Sequence, residues 1–245
     1  MNVTIVGMWG SFPKVNGATS GYLFQSQDFH LLVDCGSAVL SKLQQYVDVE
    51  NLDAVILSHY HNDHTADIGP LQHARLVKRH MGIKQQTLPI YGHPFDEAEF
   101  AKLTSDPDTV GIAYNPDEPL QLGPFTITFM KTDHPVPCYA MRITDGYQTV
   151  VYSADSSYKD ELKEFAKHAD LFICECSFYA NMDASNFGHM NSVEAAKIAK
   201  DAEVKTLVLT HLPQFGNLYD LVTEAKEVFS GNVLLAEEGW SWQNN

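Results

Sequence analysis

The sequence predicts an α/β protein in which two β-sheets carry helices on their outer faces, because short apolar segments alternate along the chain with segments of helical periodicity. Two further observations support this. The apolar segments repeatedly end in His or Asp, and no linker, low-complexity run or charge block divides the chain, so residues 1–245 read as one domain. A length of 245 residues with 44% hydrophobic content can bury a substantial core.

In order, Val3 to Met8 is apolar and β-branched and reads as a strand, running into the loop Trp9-Gly10-Ser11-Phe12-Pro13. Gly21 to Gln25 and His30 to Val33 are a strand pair around the polar turn Ser26-Gln27-Asp28, and the second strand ends in Asp34-Cys35-Gly36. A short helix through Leu40 and Leu43 follows. Leu52 to Leu57 (LDAVIL) is a buried strand, and the spacing of Ile68, Leu71, Arg75 and Leu76 predicts a helix reaching Met81. Leu88 to Tyr91 is another strand, ending at Gly92-His93-Pro94. From Phe95 to Pro119 the chain is polar, and only a helix near its start is predicted. Phe125 to Met130 alternates as a strand and delivers His134. Tyr139 to Ile143 and Thr149 to Tyr152 form a hairpin around Asp145-Gly146 and deliver Asp155. Leu171 to Cys174 delivers Glu175. Asn191 and Glu194 have the spacing of a capping box for a helix whose buried face carries Ala195, Ile198, Ala199 and Ala202. Leu207 to Leu209 delivers His211, and a last helix places Leu218, Leu221, Val222, Ala225 and Phe229 on one face.

Directly after the LDAVIL strand stands Ser58-His59-Tyr60-His61-Asn62-Asp63-His64, an HxHxDH cluster. A globular protein gains nothing from three imidazoles and a carboxylate in six positions, since buried polar groups without partners are costly. A divalent metal reverses that balance, because imidazole nitrogen and carboxylate oxygen are its ligands. His134, Asp155 and His211 are each weak signals alone; their shared place at strand ends makes them candidate ligands too. Cys174 and Cys176 read as core cysteines rather than a soft-metal pair. His93 reads as a loop histidine, and His30, His73, His80 and His168 as solvated ones.

Composition bounds the partners. Thirty-one acidic against 16 basic residues give a formal charge of −15. That balance disfavours a nucleic-acid partner, whose phosphates are held by Lys and Arg. Four cysteines, no secretory segment and no apolar run of bilayer length point to the cytoplasm, with no membrane partner expected.

The HxHxDH cluster after a strand, the downstream His134, the Asp155 after Tyr152-Ser153-Ala154, and Leu207-Val208-Leu209-Thr210-His211 together resemble the metallo-β-lactamase superfamily. With Asn16-Gly17-Ala18-Thr19-Ser20-Gly21, Leu32-Val33-Asp34-Cys35-Gly36 and Gly188-His189 added, the chain is similar to short-form relatives of RNase Z. The resemblance implies an αββα four-layer sandwich with two divalent metal ions. His59, His61 and His134 would hold one, Asp63, His64 and His211 the other, and Asp155 would bridge them. Zinc suits these oxygen and nitrogen donors best, with manganese or iron compatible. It further implies hydrolysis by metal-activated hydroxide, with His189 near the scissile bond and Asp63 able to assist the water.

RNase Z proper grips tRNA with a long flexible arm between the third histidine and the bridging aspartate. Here only residues 135–154 separate His134 from Asp155, and they are filled by the hairpin. A tRNA 3′ endonuclease is therefore disfavoured. The expected substrate is a small phosphodiester, with a lactone or other ester as the alternative and a non-catalytic metal-dependent sensor as the non-enzyme reading. By analogy with relatives a homodimer is expected.

Overall fold

The apolar segments become strands in the order foreseen. Residues 1–243 are described in a computed structural model. The elements run β1 (Asn2–Gly7), β2 (Gly21–Ser26), β3 (Phe29–Val33), α1 (Val39–Leu43), β4 (Ala54–Ile56), α2 (Asn62–Thr65), α3 (Ile68–His80), β5 (Leu88–Gly92), α4 (Glu97–Ala101) and β6 (Thr109–Ala113). They continue with β7 (Leu120–Leu122), β8 (Phe125–Lys131), β9 (Tyr139–Thr144), β10 (Thr149–Tyr152), α5 (Glu161–Phe165), β11 (Leu171–Glu175), α6 (Ser192–Asp201), β12 (Thr206–Thr210), α7 (Leu218–Val228), β13 (Asn232–Leu235) and β14 (Ser241–Gln243). Two compact units result, one of residues 1–115 with the segment from Glu237 onward and one of residues 116–236.

The first unit is a seven-stranded sheet in the order β14-β1-β2-β3-β4-β5-β6. The pairings from β14 to β3 are antiparallel and those from β3 to β6 parallel. Leu23, Leu32, Val55, Leu88 and Ile90 on one sheet face pack with Ile68 and Leu71 of α3 in a single apolar cluster. Each such side chain contributes about 1.5–3 kcal/mol when fully buried. Arg75 also lies on the buried side of α3, 1% exposed, which its place in the apolar spacing did not announce. Its guanidinium donates to the carbonyls of Val49 (2.6 Å), Gln86 and Asp108, so three loops are tied to one helix. Those bonds offset the desolvation that pushes its pKa down.

The second unit is a seven-stranded sheet in the order β13-β12-β11-β10-β9-β8-β7. Its pairings are antiparallel from β7 to β10 and parallel from β10 to β13. The two sheets thus share one pattern of pairings, three antiparallel and then three parallel, although the edge strand β14 of the first comes late in the chain whereas β7 directly precedes β8. The β9–β10 turn closes as expected: Gly146 has φ 87° and the Asp145 carboxylate accepts from the backbone N–H groups of Tyr147 and Gln148. Asn191 and Glu194 form the capping box of α6.

The segment after Phe95 departs most from expectation. Besides α4 it contains β6, whose Gly111 packs closely under Leu103: a Cβ there would come 3.0 Å from Leu103 Cβ. The outer edge of β6 is blunted by its own neighbours, Thr104 Oγ1 accepting from Gly111 N and Ser105 exchanging backbone bonds with Thr109. No helix among the described residues is long and apolar enough to cross a membrane.

Candidate metal centre

In both units the candidate metal ligands singled out from the sequence stand just beyond the C-terminal ends of strands, where the backbone turns out of the sheet, while His189 follows the short turn Ser185–Phe187 ahead of α6. The turns are tight: Asp34, Ala154 and His211 have φ of 58°, 51° and 52°, a left-handed conformation that side chains rarely adopt. Such strain persists only where surrounding contacts over-determine it.

In the first unit His59, His61, Asp63 and His64 occupy the exit of β4 and the short α2. They are ordered by Asp34, a fully buried carboxylate at the end of β3. Asp34 accepts from the backbone N and Oγ of Ser58, each at 2.8 Å, and from His64 Nδ1 at 2.8 Å. Because the Ser58 hydroxyl gives its one proton to Asp34, it receives the Nδ1–H of His59 at 3.0 Å. Both rings therefore carry their lone pair on Nε2. His59 Nε2 lies 3.1 Å from His61 Nδ1. Two nitrogens bound to one tetrahedral ion at about 2.0–2.1 Å stand roughly 3.3 Å apart, so the pair already has ligand spacing. Asp63 Oδ2 lies 3.8 Å from His64 Nε2 and accepts from Ser11 N at 2.7 Å. Gly36 lets the β3 loop press on α2, since a Cβ there would sit 2.0 Å from the Asp63 carbonyl.

The second unit repeats this device with other residues. Glu175, ending β11 and fully buried, accepts from the backbone N–H groups of Ser156 (3.1 Å) and Ser177 (3.3 Å) and from Ser177 Oγ (3.1 Å). Ser177 Oγ in turn stands 2.8 Å from His211 Nδ1. Glu175 also takes the Nδ1 of His189 at 2.9 Å. Carboxylate, serine and histidine thus recur as Asp34–Ser58–His59 and Glu175–Ser177–His211, each carboxylate holding a second histidine directly. Orienting partners of this kind fix the tautomer of metal-binding imidazoles.

His134, beyond β8, donates Nδ1–H to the Gly188 carbonyl at 2.9 Å. Gly188 has φ 75°, and a Cβ there would sit 2.7 Å from His134 Nδ1. Asp155 Oδ2 lies 3.4 Å from His211 Nε2 and 3.9 Å from His134 Nε2, between two imidazoles with their Nε2 atoms turned toward it. Burial lowers the pKa of His134, which keeps it neutral and able to coordinate. Donor atoms of Glu175, His189 and His211 lie within 4.8 Å of one another. The donor set is nitrogen and oxygen with prearranged tautomers, which fits a divalent ion such as zinc, manganese or iron and does not distinguish among them.

Several expectations needed correction or completion. His93 is not a surface histidine: it is 1% exposed and its ring packs 4.4 Å from that of Tyr60, whose hydroxyl donates to the His93 carbonyl. Trp9, in the loop after β1, is buried under Lys14 and against Gly17. Ser58, Ser177 and Ser11 carried no expectation of their own, since a lone serine has no spacing signal. Cys174 and Cys176 are buried thiols as expected, their pKa values pushed up by desolvation.

A strand-edge His/Asp set in each of two sheets with one pairing pattern defines a metal-dependent hydrolase of the β-lactamase superfamily. The chain belongs to that family: the Beta-lactamase superfamily domain matches residues 30–212. It is 61% identical to the probable metallo-hydrolase YhfI of Bacillus subtilis, covering 99% of this chain and all of that protein. The crystal structure of that metallo-β-lactamase fold protein superposes with a TM-score of 0.98 over 98% of both chains. Human short-form tRNase Z (ELAC1) is 20% identical with a TM-score of 0.76 over 99% of each chain. A diphosphatase of the PhnP family is 14% identical, also at 0.76, over 100% of this chain and 98% of its own. The last two show the fold alone.

Proposed function

We propose that the protein is a dinuclear metallo-hydrolase of small phosphodiesters. His59, His61 and His134 serve one ion, Asp63, His64 and His211 the second, and Asp155 bridges them; zinc is the proposed metal. Family membership and the paired carboxylate–serine–histidine devices support this assignment. When bound, a pair of divalent ions lowers the pKa of a water and takes up negative charge on the substrate.

The observation that carries the phosphodiester reading is His189. Its side chain is 17% exposed, and its Nδ1 is held 2.9 Å from the buried Glu175. Its ring stands 5.1 Å from that of His211 and 5.4 Å from that of His134, beside two proposed ligands. The Glu175 carboxylate stabilises the imidazolium, leaving Nε2–H to neutralise a phosphoryl oxygen or to protonate the leaving alkoxide or phenolate oxygen. Asp63, whose carboxylate accepts from Ser11 N, is assigned the further role of assisting the water beside that of ligand. Residues 135–154 fold as β9, β10 and their turn, leaving no segment there to serve as a tRNA-gripping arm. A small substrate also suits a net charge of −15, because one phosphodiester needs no extended basic track.

The test is a substrate comparison on metal-loaded protein. Turnover of bis(p-nitrophenyl) phosphate, lost in His189→Ala, with no turnover of homoserine lactones, is the expected result. The reverse preference would assign a lactonase, and no ester turnover with two bound metals would assign a sensor.

A further inference from the structure

We infer that the cleft at the starts of β3, β4 and β5 is a binding site for short zwitterionic peptides, two or three residues long with both termini free. The inference does not depend on the metal centre, since His59, His61, Asp63 and His64 follow the opposite end of β4.

The cleft encloses about 950 Å³, a volume that suits a small molecule, and its lining belongs entirely to the first unit. Its two ends carry opposite charge. Asp28 in the β2–β3 turn and Asp53 just before β4 form the acidic end, and Lys84 in the segment leading into β5 forms the basic one. Asp28 and Lys84 are exposed, and neither has an ion-pair partner among the described residues. Asp53 accepts from His30 N at 2.8 Å, a bond that leaves its charge in place. Beside Lys84 the buried Arg75 bonds only to carbonyls, that of Gln86 among them, so no contacting carboxylate cancels its charge. Glu50, in the same wall, is committed to Lys78 at 3.0 Å.

Further features select a peptide over a simple ion or a single amino acid. The starts of β3 and β5 are two strand spacings apart, about 10 Å. A free amino acid is too short to bridge them, whereas an extended chain of two or three residues, at roughly 3.3–3.6 Å each, spans most of that distance and the flanking side chains close the rest. The wall also has acceptors that the chain leaves unused. Glu50 Oε2 and Gln85 Oε1 accept no hydrogen bond, while Gln85 Nε2 is fixed by the Arg75 carbonyl at 2.6 Å and by Asp108 Oδ1 at 3.3 Å. Peptide N–H groups are the donors these oxygens lack. Pro89 and Tyr91 alternate with the buried Leu88 and Ile90, so they face away from α3. With Ile112, paired to Tyr91 across β5 and β6, they give the cleft an apolar surface for side chains.

The experiment is calorimetric titration of metal-loaded wild type, Asp28→Ala and Lys84→Ala with alanyl-leucine, its N-acetyl derivative, its C-terminal amide and free leucine. Blocking either terminus is expected to weaken binding to wild type about fivefold, and free leucine is expected to bind no better than the blocked forms. In Lys84→Ala the dipeptide and its amide should bind alike, and in Asp28→Ala the dipeptide and its N-acetyl form, which assigns each terminus to its own end of the cleft. Both substitutions are expected to leave metal content at its wild-type value, which separates this site from peptide binding at the metals. No binding to wild type at about 10 mM alanyl-leucine, free leucine binding as tightly as the dipeptide, or a terminal preference unchanged in either variant would overturn the inference.

Discussion

Asp34→Asn tests the orienting role of the buried carboxylate with the least collateral change. Asp34 sits at φ 58°, a conformation asparagine also tolerates, so the backbone is spared. The carboxylate accepts three hydrogen bonds, one on Oδ1 from Ser58 N and two on Oδ2 from Ser58 Oγ and His64 Nδ1. An amide keeps one oxygen and brings two N–H donors. If its oxygen replaces Oδ2, the NH2 faces the Ser58 N–H; if it replaces Oδ1, the NH2 faces His64 Nδ1–H. Either way a buried donor loses its acceptor, at about 1–3 kcal/mol. In the second arrangement His64 moves its proton to Nε2, the atom proposed to coordinate. Loss of such an orienting partner weakens metal binding by roughly 10–100-fold. Urea unfolding of the metal-free protein reads the first effect, and competition with a chelator of known affinity reads the second. Unfolding within about 0.5 kcal/mol of wild type together with the same metal affinity would refute the orienting role of Asp34.

The remaining predictions address other parts of the account. Gly188→Ala forces a Cβ to 2.7 Å from His134 Nδ1 at a φ of 75°. It is expected to cost at least about 1–2 kcal/mol of stability and to lower metal retention, both measurable on one preparation. All four cysteines are buried thiols outside any disulfide, and burial pushes the thiols of Cys35, Cys174 and Cys176 up. An aromatic disulfide reagent at pH 8 should therefore label none of the four in the native protein and all four in denaturant. Because burial depresses the folded pKa of His134 below its ordinary 6.5, the unfolded chain binds a proton there first as pH falls. The stability this residue contributes is complete above pH 6.5 and is lost on acidification below it; in metal-free protein, His134→Gln should flatten that part of the urea-midpoint profile.

The parts legible in the sequence are those whose signal is local. HxHxDH compresses four ligand-type residues into six positions, Asp145-Gly146 sets its own turn, and Asn191 with Glu194 forms a cap three residues apart. Strand ends were legible because apolar runs stop at His or Asp. What stayed hidden is assembled from distant residues. Asp34 meets Ser58 across 24 positions and Ser177 meets His211 across 34, so the recurring carboxylate–serine–histidine device has no linear spacing to detect. β6 was missed because its five residues include Gly111 and lie in a run of Asp and Pro, while β7 and β14, three residues each, offer too short a pattern for periodicity to register. Arg75 fitted the α3 spacing but its burial was not legible, since only the folded chain supplies the three carbonyls that make it tolerable.

The central proposal, two ions bridged by Asp155, is tested most directly by elemental analysis of wild type and Asp155→Ala after metal supplementation and desalting. The account predicts near two divalent ions per wild-type chain and a marked loss in the variant, with hydrolysis of bis(p-nitrophenyl) phosphate lost alongside. Fewer than one ion per wild-type chain, or the same metal content in Asp155→Ala, would contradict it.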